Sequence, residues 1–184
     1  MTEFVISAPT QPSVAIQNST ARFPVRRIFC VGRNYAEHAL EFGNDPDKEP
    51  PFFFIKPADA LIGDDETILY PAATQDLHYE GEMVVAPSSG GVNIPEAEAL
   101  NCIWGYGAGN DLTRRDLQSE AKAMRRPWDM GKNFDRGAVC GALAPASVIG
   151  HPASGRIWST VDGELPRIIH EGDGLRISQA GLAA

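Results

Sequence analysis

The 184-residue sequence predicts an α+β domain with a mostly β core. Three observations predict it. Short runs of β-branched and aromatic residues recur along the chain, closely punctuated by 18 Gly and 14 Pro. Only two or three stretches have a helical pattern. The length suits a single domain that buries about 70% of its unfolded surface and needs no staples to fold.

The elements follow in order. Residues 1–24 are polar and rich in Pro, Ser, Thr and Asn, and read as a lead-in segment in which Val14, Ala15 and Ile16 favour a short strand. From residue 25 to 184 the chain reads as the domain proper. Arg26 to Val31 (RRIFCV) is a strand ended by Gly32. Asn34 to Phe42 reads as a helix, with Asn34 as N-cap and Gly43 as its stop. Residues 43–51 are loop, Phe52 to Ile55 a strand, and 58–76 a mixed stretch that turns at Gly63-Asp64-Asp65. Leu77 to Ala86 (LHYEGEMVVA) is a strand that starts polar and finishes apolar. Pro95 to Asn101 is a short helix with Asn93 as its cap, Ile103 to Ala108 a strand, and Asp111 to Met124 a helix stopped by Pro127. The remainder is strand-like pieces between Gly and Pro, without an internal repeat.

Composition narrows the function. The net charge of −8 repels phosphate backbones and argues against nucleic acid. An anionic substrate would need a local cation. Cys30, Cys102 and Cys140 are odd in number, far apart and free of any CxxC pair, which fits a reducing compartment. No apolar run reaches membrane-spanning length, and the N-terminus lacks a signal pattern, so a cytoplasmic protein without a membrane partner is expected.

Four groups of residues carry chemistry. Glu80 and Glu82 are two apart in a strand pattern and so share a face, where their mutual repulsion and lost hydration favour a hard divalent cation. Two acids at this spacing are by themselves a weak signal, equally read as a solvated strand face. Asp111, where a strand runs into a helix, reads on local grounds equally as an N-cap or as a third oxygen ligand. His38 and Glu41, three apart, lie on one helix face, where a carboxylate can orient an imidazole base, although the spacing alone favours an ordinary surface pair. Arg33, Arg115, Lys132 and the polar Gln118 form the last group. Arg can grip a carboxylate and Lys can hold an enolate, while each alone reads as a solvated base.

Five segments taken together are more specific: Val31-Gly32-Arg33-Asn34-Tyr35-Ala36-Glu37-His38, Phe54-Ile55-Lys56-Pro57, His78-Tyr79-Glu80-Gly81-Glu82, the run from Gly109 to Gln118, and the run from Pro127 to Phe134. In this order they resemble the catalytic domain of the fumarylacetoacetate hydrolase family of C–C bond hydrolases, and within it the fumarylpyruvate (acylpyruvate) hydrolase branch. The resemblance extends from about Arg22 to Val161. It implies a mixed β-roll, a homodimer, and Mg²⁺, Mn²⁺ or Ca²⁺ held by Glu80, Glu82 and Asp111. It also implies a His38–Glu41 dyad that activates water, Lys132 as a catalytic cation, Arg115 and Gln118 at the substrate, and Arg33 and Tyr35 on the substrate side of a lid.

The implied reaction is hydrolysis of a 2,4-dioxo acid, with pyruvate leaving as its enolate. Stabilising that enolate would equally serve oxaloacetate decarboxylation. The chain departs from the family late. Val161 to Leu165 matches a family strand, but the helix, strands and Thr-Gly-Thr-Pro segment expected before Glu171 are missing. That departure implies impaired turnover and keeps open a non-catalytic, metal-binding remnant.

Overall fold

The computed structural model describes residues 3–32, 52–63, 66–155, 157–161 and 164–170. The helix expected over Asn34 to Phe42 lies outside them. Strand β1 (Ser13–Ala15) pairs antiparallel with β2 (Arg22–Pro24). Beyond β1, Gln17 N–H donates to the Leu143 carbonyl, and Leu143 N–H donates back to Ala15. Val14 is thereby buried with Ala86, Cys140 and Leu143, against Phe23, Val25, Leu61, Val84 and Trp104. Strand β3 (Ile28–Gly32) pairs antiparallel with β4 (Phe52–Lys56). That register puts Cys30 opposite Phe54 and Ile28 opposite Lys56, so Phe52, Phe54 and Lys56 share one face.

The larger sheet is built around one long strand. After β5 (Leu61–Ile62) and β6 (Leu77–His78), β7 (Gly81–Pro87) pairs antiparallel along most of β8 (Ile103–Asp111). The other edge of β8 takes β10 (Ala138–Cys140) near its end and β11 (Ala144–Pro145) near its middle, and β10 pairs parallel with β5. Glycines make this crowding feasible. A Cβ at Gly105 would lie 2.4 Å from the Ala144 carbonyl oxygen, and one at Gly109 would lie 2.6 Å from Val84 Cγ2. Beyond α4 (Ala146–Ile149), β12 (Ile157–Val161) and β13 (Glu164–His170) form an antiparallel pair.

Three expectations are corrected. The strand expected over Leu77 to Ala86 is two strands, because the chain changes partner at Tyr79-Glu80: β6 pairs with β9 (Thr113–Arg114), and β7 pairs with β8. The helix expected from Asp111 starts at Arg115, as α2 (Arg115–Ala123). Asp111 is therefore the last residue of a strand and not an N-cap, since β10 continues the ladder past Ala108 to pair Ala138 with Asp111. The short helix before β8 is α1 (Glu96–Ala99), entered from Pro95, and Asn93 makes no cap to it. A further one-turn helix, α3 (Asp129–Lys132), carries Lys132.

Candidate active site

The partner change at Glu80 and the end of β8 meet. Asp111 N–H donates to the Glu80 carbonyl at 2.8 Å, and Glu80 N–H donates to Asn110 Oδ1 at 2.9 Å. The backbone thus sets the two carboxylates side by side. Glu82 follows in β7, opposite Gly109, and is half-buried.

Lys132 reaches this pair from α3. Its Nζ donates to Glu80 Oε2 at 2.7 Å, Asp111 Oδ2 at 2.8 Å and Thr113 Oγ1 at 2.6 Å. Three acceptors use all three ammonium hydrogens. Thr113 is fully buried and passes its own hydroxyl proton to the Asp111 carbonyl at 3.1 Å, which leaves its oxygen free to accept from Lys132. The helix is held in place by Trp128, whose ring meets Phe52 edge-on at 4.9 Å. Gly131 adds a close approach to α2, where a Cβ would sit 2.9 Å from the backbone nitrogen of Gln118.

A second lysine lies beneath the first. Lys56 is 1% exposed, and its Nζ donates to the carbonyls of Lys132 at 2.6 Å and Leu112 at 3.0 Å. It also lies 2.9 Å from Asp111 Oδ1. That contact is an ion pair without hydrogen-bond direction, since Asp111 Oδ1 is buried with no hydrogen-bond partner. Aromatic rings wall the two ammonium groups: Phe134 lies 5.1 Å from Lys56 Nζ, and Phe54 lies 4.8 Å from Lys132 Nζ. Arg115 binds Glu80 Oε1 from the other side and donates to Gln118 Oε1 at 2.5 Å.

This environment moves the ionisable groups. Burial raises the Glu80 carboxyl, but Lys132 and Arg115 outweigh it and hold the group below its ordinary range. Burial lowers Lys56 from its ordinary value, against the opposing pull of Asp111. Cys30, on the same face of β3 as these charges, is pushed up to about 12, first by burial and then by the Asp111 carboxylate. It is a neutral thiol, not a nucleophile.

The structure brings together Glu80, Asp111, Lys132, Arg115 and Gln118, with Glu82 beside them. Arg33, Tyr35, His38 and Glu41 lie outside the described residues. Sequence reasoning missed Lys56 and Thr113. The signal for Lys56 was a lysine on the inward parity of an apolar strand, two residues after Phe54. Among the described residues, no three acidic, imidazole or thiol groups converge into a ready-made metal cage. No helix among them is long and apolar enough to cross a membrane.

Known proteins share this arrangement of chain. The crystal structure of fumarylpyruvate hydrolase from Pseudomonas aeruginosa, in complex with Mn²⁺ and pyruvate, is 48% identical with a TM-score of 0.85, over 90% of this chain and 73% of that one. A Burkholderia cenocepacia structure, solved as a candidate fumarylpyruvate hydrolase, is 51% identical with a TM-score of 0.82, over 92% of this chain and 75% of that one. The mitochondrial oxaloacetate tautomerases of Caenorhabditis elegans and human are 38% and 37% identical, over 75% and 76% of this chain. The chain spans 64% and 63% of their lengths, less than two thirds. The family profile for the fumarylacetoacetate (FAA) hydrolase C-terminal region matches residues 27–168, well over half of the sequence. By that match and these identities, the chain belongs to the fumarylacetoacetate hydrolase family.

Proposed function

We propose that this protein hydrolyses the C–C bond of a 2,4-dioxo acid, fumarylpyruvate or another acylpyruvate. The observation that carries the reading is the ammonium of Lys132 shared between Glu80 and Asp111 and walled by Phe54. Likeness to a fumarylpyruvate hydrolase solved with Mn²⁺ and pyruvate supports it.

The donor set fits a hard divalent cation. Glu80, Glu82 and Asp111 offer only carboxylate oxygens, the donors such an ion takes, with Asp111 Oδ1 now facing Lys56 Nζ at 2.9 Å. These three residues would hold Mg²⁺, Mn²⁺ or Ca²⁺, which when bound would supply Lewis-acid polarisation of the 2-keto group. The remaining work belongs to the chain. His38, oriented by Glu41, takes a proton from water as it adds to the remote carbonyl. The bond to the pyruvate half then breaks, giving a carboxylic acid and the enolate of pyruvate, which is protonated to pyruvate. Lys132 lends its positive charge to that enolate, exchanging one of its present acceptors for the enolate oxygen. Arg115, already bound to Glu80 and Gln118, brings a cation to the substrate's edge of the cluster, with Gln118, Arg33 and Tyr35 as further substrate contacts. The working form is a cytoplasmic homodimer.

A second reading has one observation in its favour: the relatives at 37–38% identity are named for tautomerising oxaloacetate, another 2-keto acid that passes through an enolate. The reaction in those names is tautomerisation rather than decarboxylation. The higher identity to the fumarylpyruvate hydrolase favours the first reading.

The test is loss of dioxo-acid absorbance with Mn²⁺ present, using fumarylpyruvate and oxaloacetate in parallel. Fumarylpyruvate should be consumed, below the roughly 10 per second of a typical enzyme because the Thr-Gly-Thr-Pro segment is missing. Asp111→Asn should lose about a hundredfold or more, and His38→Ala should lose hydrolysis while still binding Mn²⁺. Turnover of oxaloacetate alone would transfer the assignment to the second reading.

A further inference from the structure

The short stretch that enters β6 makes contacts to which the proposed reaction gives no part. His78, the last residue of β6, lies opposite the fully buried Thr113 of β9. Its ring is held between two side chains. Nε2 donates to Asp76 Oδ1 at 3.0 Å, and Nδ1 accepts from Arg115 Nε at 3.4 Å. A carboxylate only accepts and a guanidinium only donates, so each ring nitrogen has the one role its neighbour allows. Asp76 is itself fastened on both sides: its carbonyl accepts from Arg115 N–H at 2.8 Å, and its own N–H donates to Thr74 Oγ1 at 3.1 Å. Arg115 is therefore bracketed, through backbone and side chain, by residues 76–78.

Among the described residues, the guanidinium is held at all three of its nitrogens. Nε goes to His78, one terminal nitrogen to Gln118 Oε1 at 2.5 Å, and the other to Glu80 Oε1. These bonds use three of its five N–H groups and leave one on each terminal nitrogen for a carboxylate. Gln118 and Glu80 both have other parts in the proposed reaction, as a substrate contact and as a cation ligand, and so can change partner as it proceeds. His78 has none. It is the contact through which the guanidinium keeps its direction.

We propose that His78, tied by Asp76, is a positioning residue that fixes the direction in which Arg115 meets the substrate's carboxylate, an inference that rests on the reading of Arg115 as a substrate contact. The His78 and Asp76 side chains are 47% and 54% exposed, and a contact so exposed adds little to stability. Its loss therefore appears in substrate binding and not in the melting temperature. An arginine that binds substrate and transition state alike changes KM and leaves kcat.

The test is steady-state hydrolysis of fumarylpyruvate with Mn²⁺ present, beside the melting temperature of each variant. His78→Phe keeps a ring and removes both nitrogens. It should raise KM at least about tenfold, with kcat within about threefold and an unchanged melting temperature. His78→Asn, whose Oδ1 can accept from Arg115 in place of Nδ1, should bring KM back to within about threefold of the original. An unchanged KM in His78→Phe overturns the proposal, and so does a rise that His78→Asn leaves in place. If His78→Phe does not fold, His78→Ala takes its place with the same expectation. Failure of both to fold would make the contact a requirement of the fold and also overturn it. No turnover by the unmodified chain, or a KM unmoved by Arg115→Leu, overturns the reading of the site and the proposal with it. A negative result confined to His78 leaves that reading standing.

Discussion

Thr113 shows how much a single hydroxyl decides here. Its proton goes to the Asp111 carbonyl, and its oxygen takes the third hydrogen of Lys132. It therefore fixes the direction in which the ammonium donates and leaves its other two hydrogens for Glu80 and Asp111. Thr113→Val keeps the shape and removes both bonds in a residue with no solvent exposure. A buried donor and a buried acceptor are then left unmet, at a cost of about 1–3 kcal/mol. Urea denaturation should show the midpoint falling with the slope unchanged, and Thr113→Ser should restore most of the loss. A Val variant as stable as the original would show that Lys132 finds another acceptor. Neither Thr113 nor Lys56 was assigned to the site from the sequence, and Lys56 left only the signal of a lysine on the inward parity of an apolar strand. Each reads locally as an ordinary β residue or strand end, and its importance depends on partners supplied by other elements. Glu80, Glu82 and Asp111 were legible because acids two apart, and an acid at the end of an apolar strand, are costly unless something compensates them.

At the scale of elements, α2 is tied to the loop before β6. Asp116 in its first turn accepts from Thr74 Oγ1 at 2.6 Å and from the N–H groups of Gln75 and Leu117, each at 2.9 Å. These bonds, the Thr74 hydroxyl foremost, hold its carboxyl below the ordinary value. The sign follows from linkage. A carboxyl depressed in the folded state contributes stability that is fully present above its unfolded value of about 3.9 and is lost as pH falls through the folded value. Asp116→Asn, which turns a donor toward one of these donors, should therefore lower the melting temperature at pH 7 and lower it less at pH 3. A gap that stays constant between the two would sink the assignment. The same region shows why element boundaries were only partly legible. The helix propensity from Asp111 onward is real, but tertiary pairing wins: β10 extends the ladder to Asp111, and β6 captures Thr113 and Arg114 before α2 can start. The break at Tyr79-Glu80 has the same origin, since period-two patterning cannot reveal a change of partner strand.

At the scale of the whole molecule, an acidic chain has collected bases around one group of carboxylates. The net charge is −8, yet Lys56, Lys132 and Arg115 gather around one cluster. The general β architecture was legible from Gly and Pro punctuation and short apolar runs. The central place of β8 was not, because it depends on Gly105 and Gly109 admitting close neighbours on the sheet. The contacts that define the cluster also span the chain: Lys56 to the Lys132 carbonyl crosses 76 positions, and Lys132 to Glu80 crosses 52. Each is a large loop closure, whose entropy is lost before the contact is gained. The ordering this imposes is temporal. On dilution from urea, β7 and β8 can pair while β4 and α3 are still apart, so the acids stand assembled before the lysines arrive, and capture of Mn²⁺ should coincide with recovery of the far-UV circular dichroism. A separate, slower capture phase would mean that the acids hold no metal until β4 and α3 have docked.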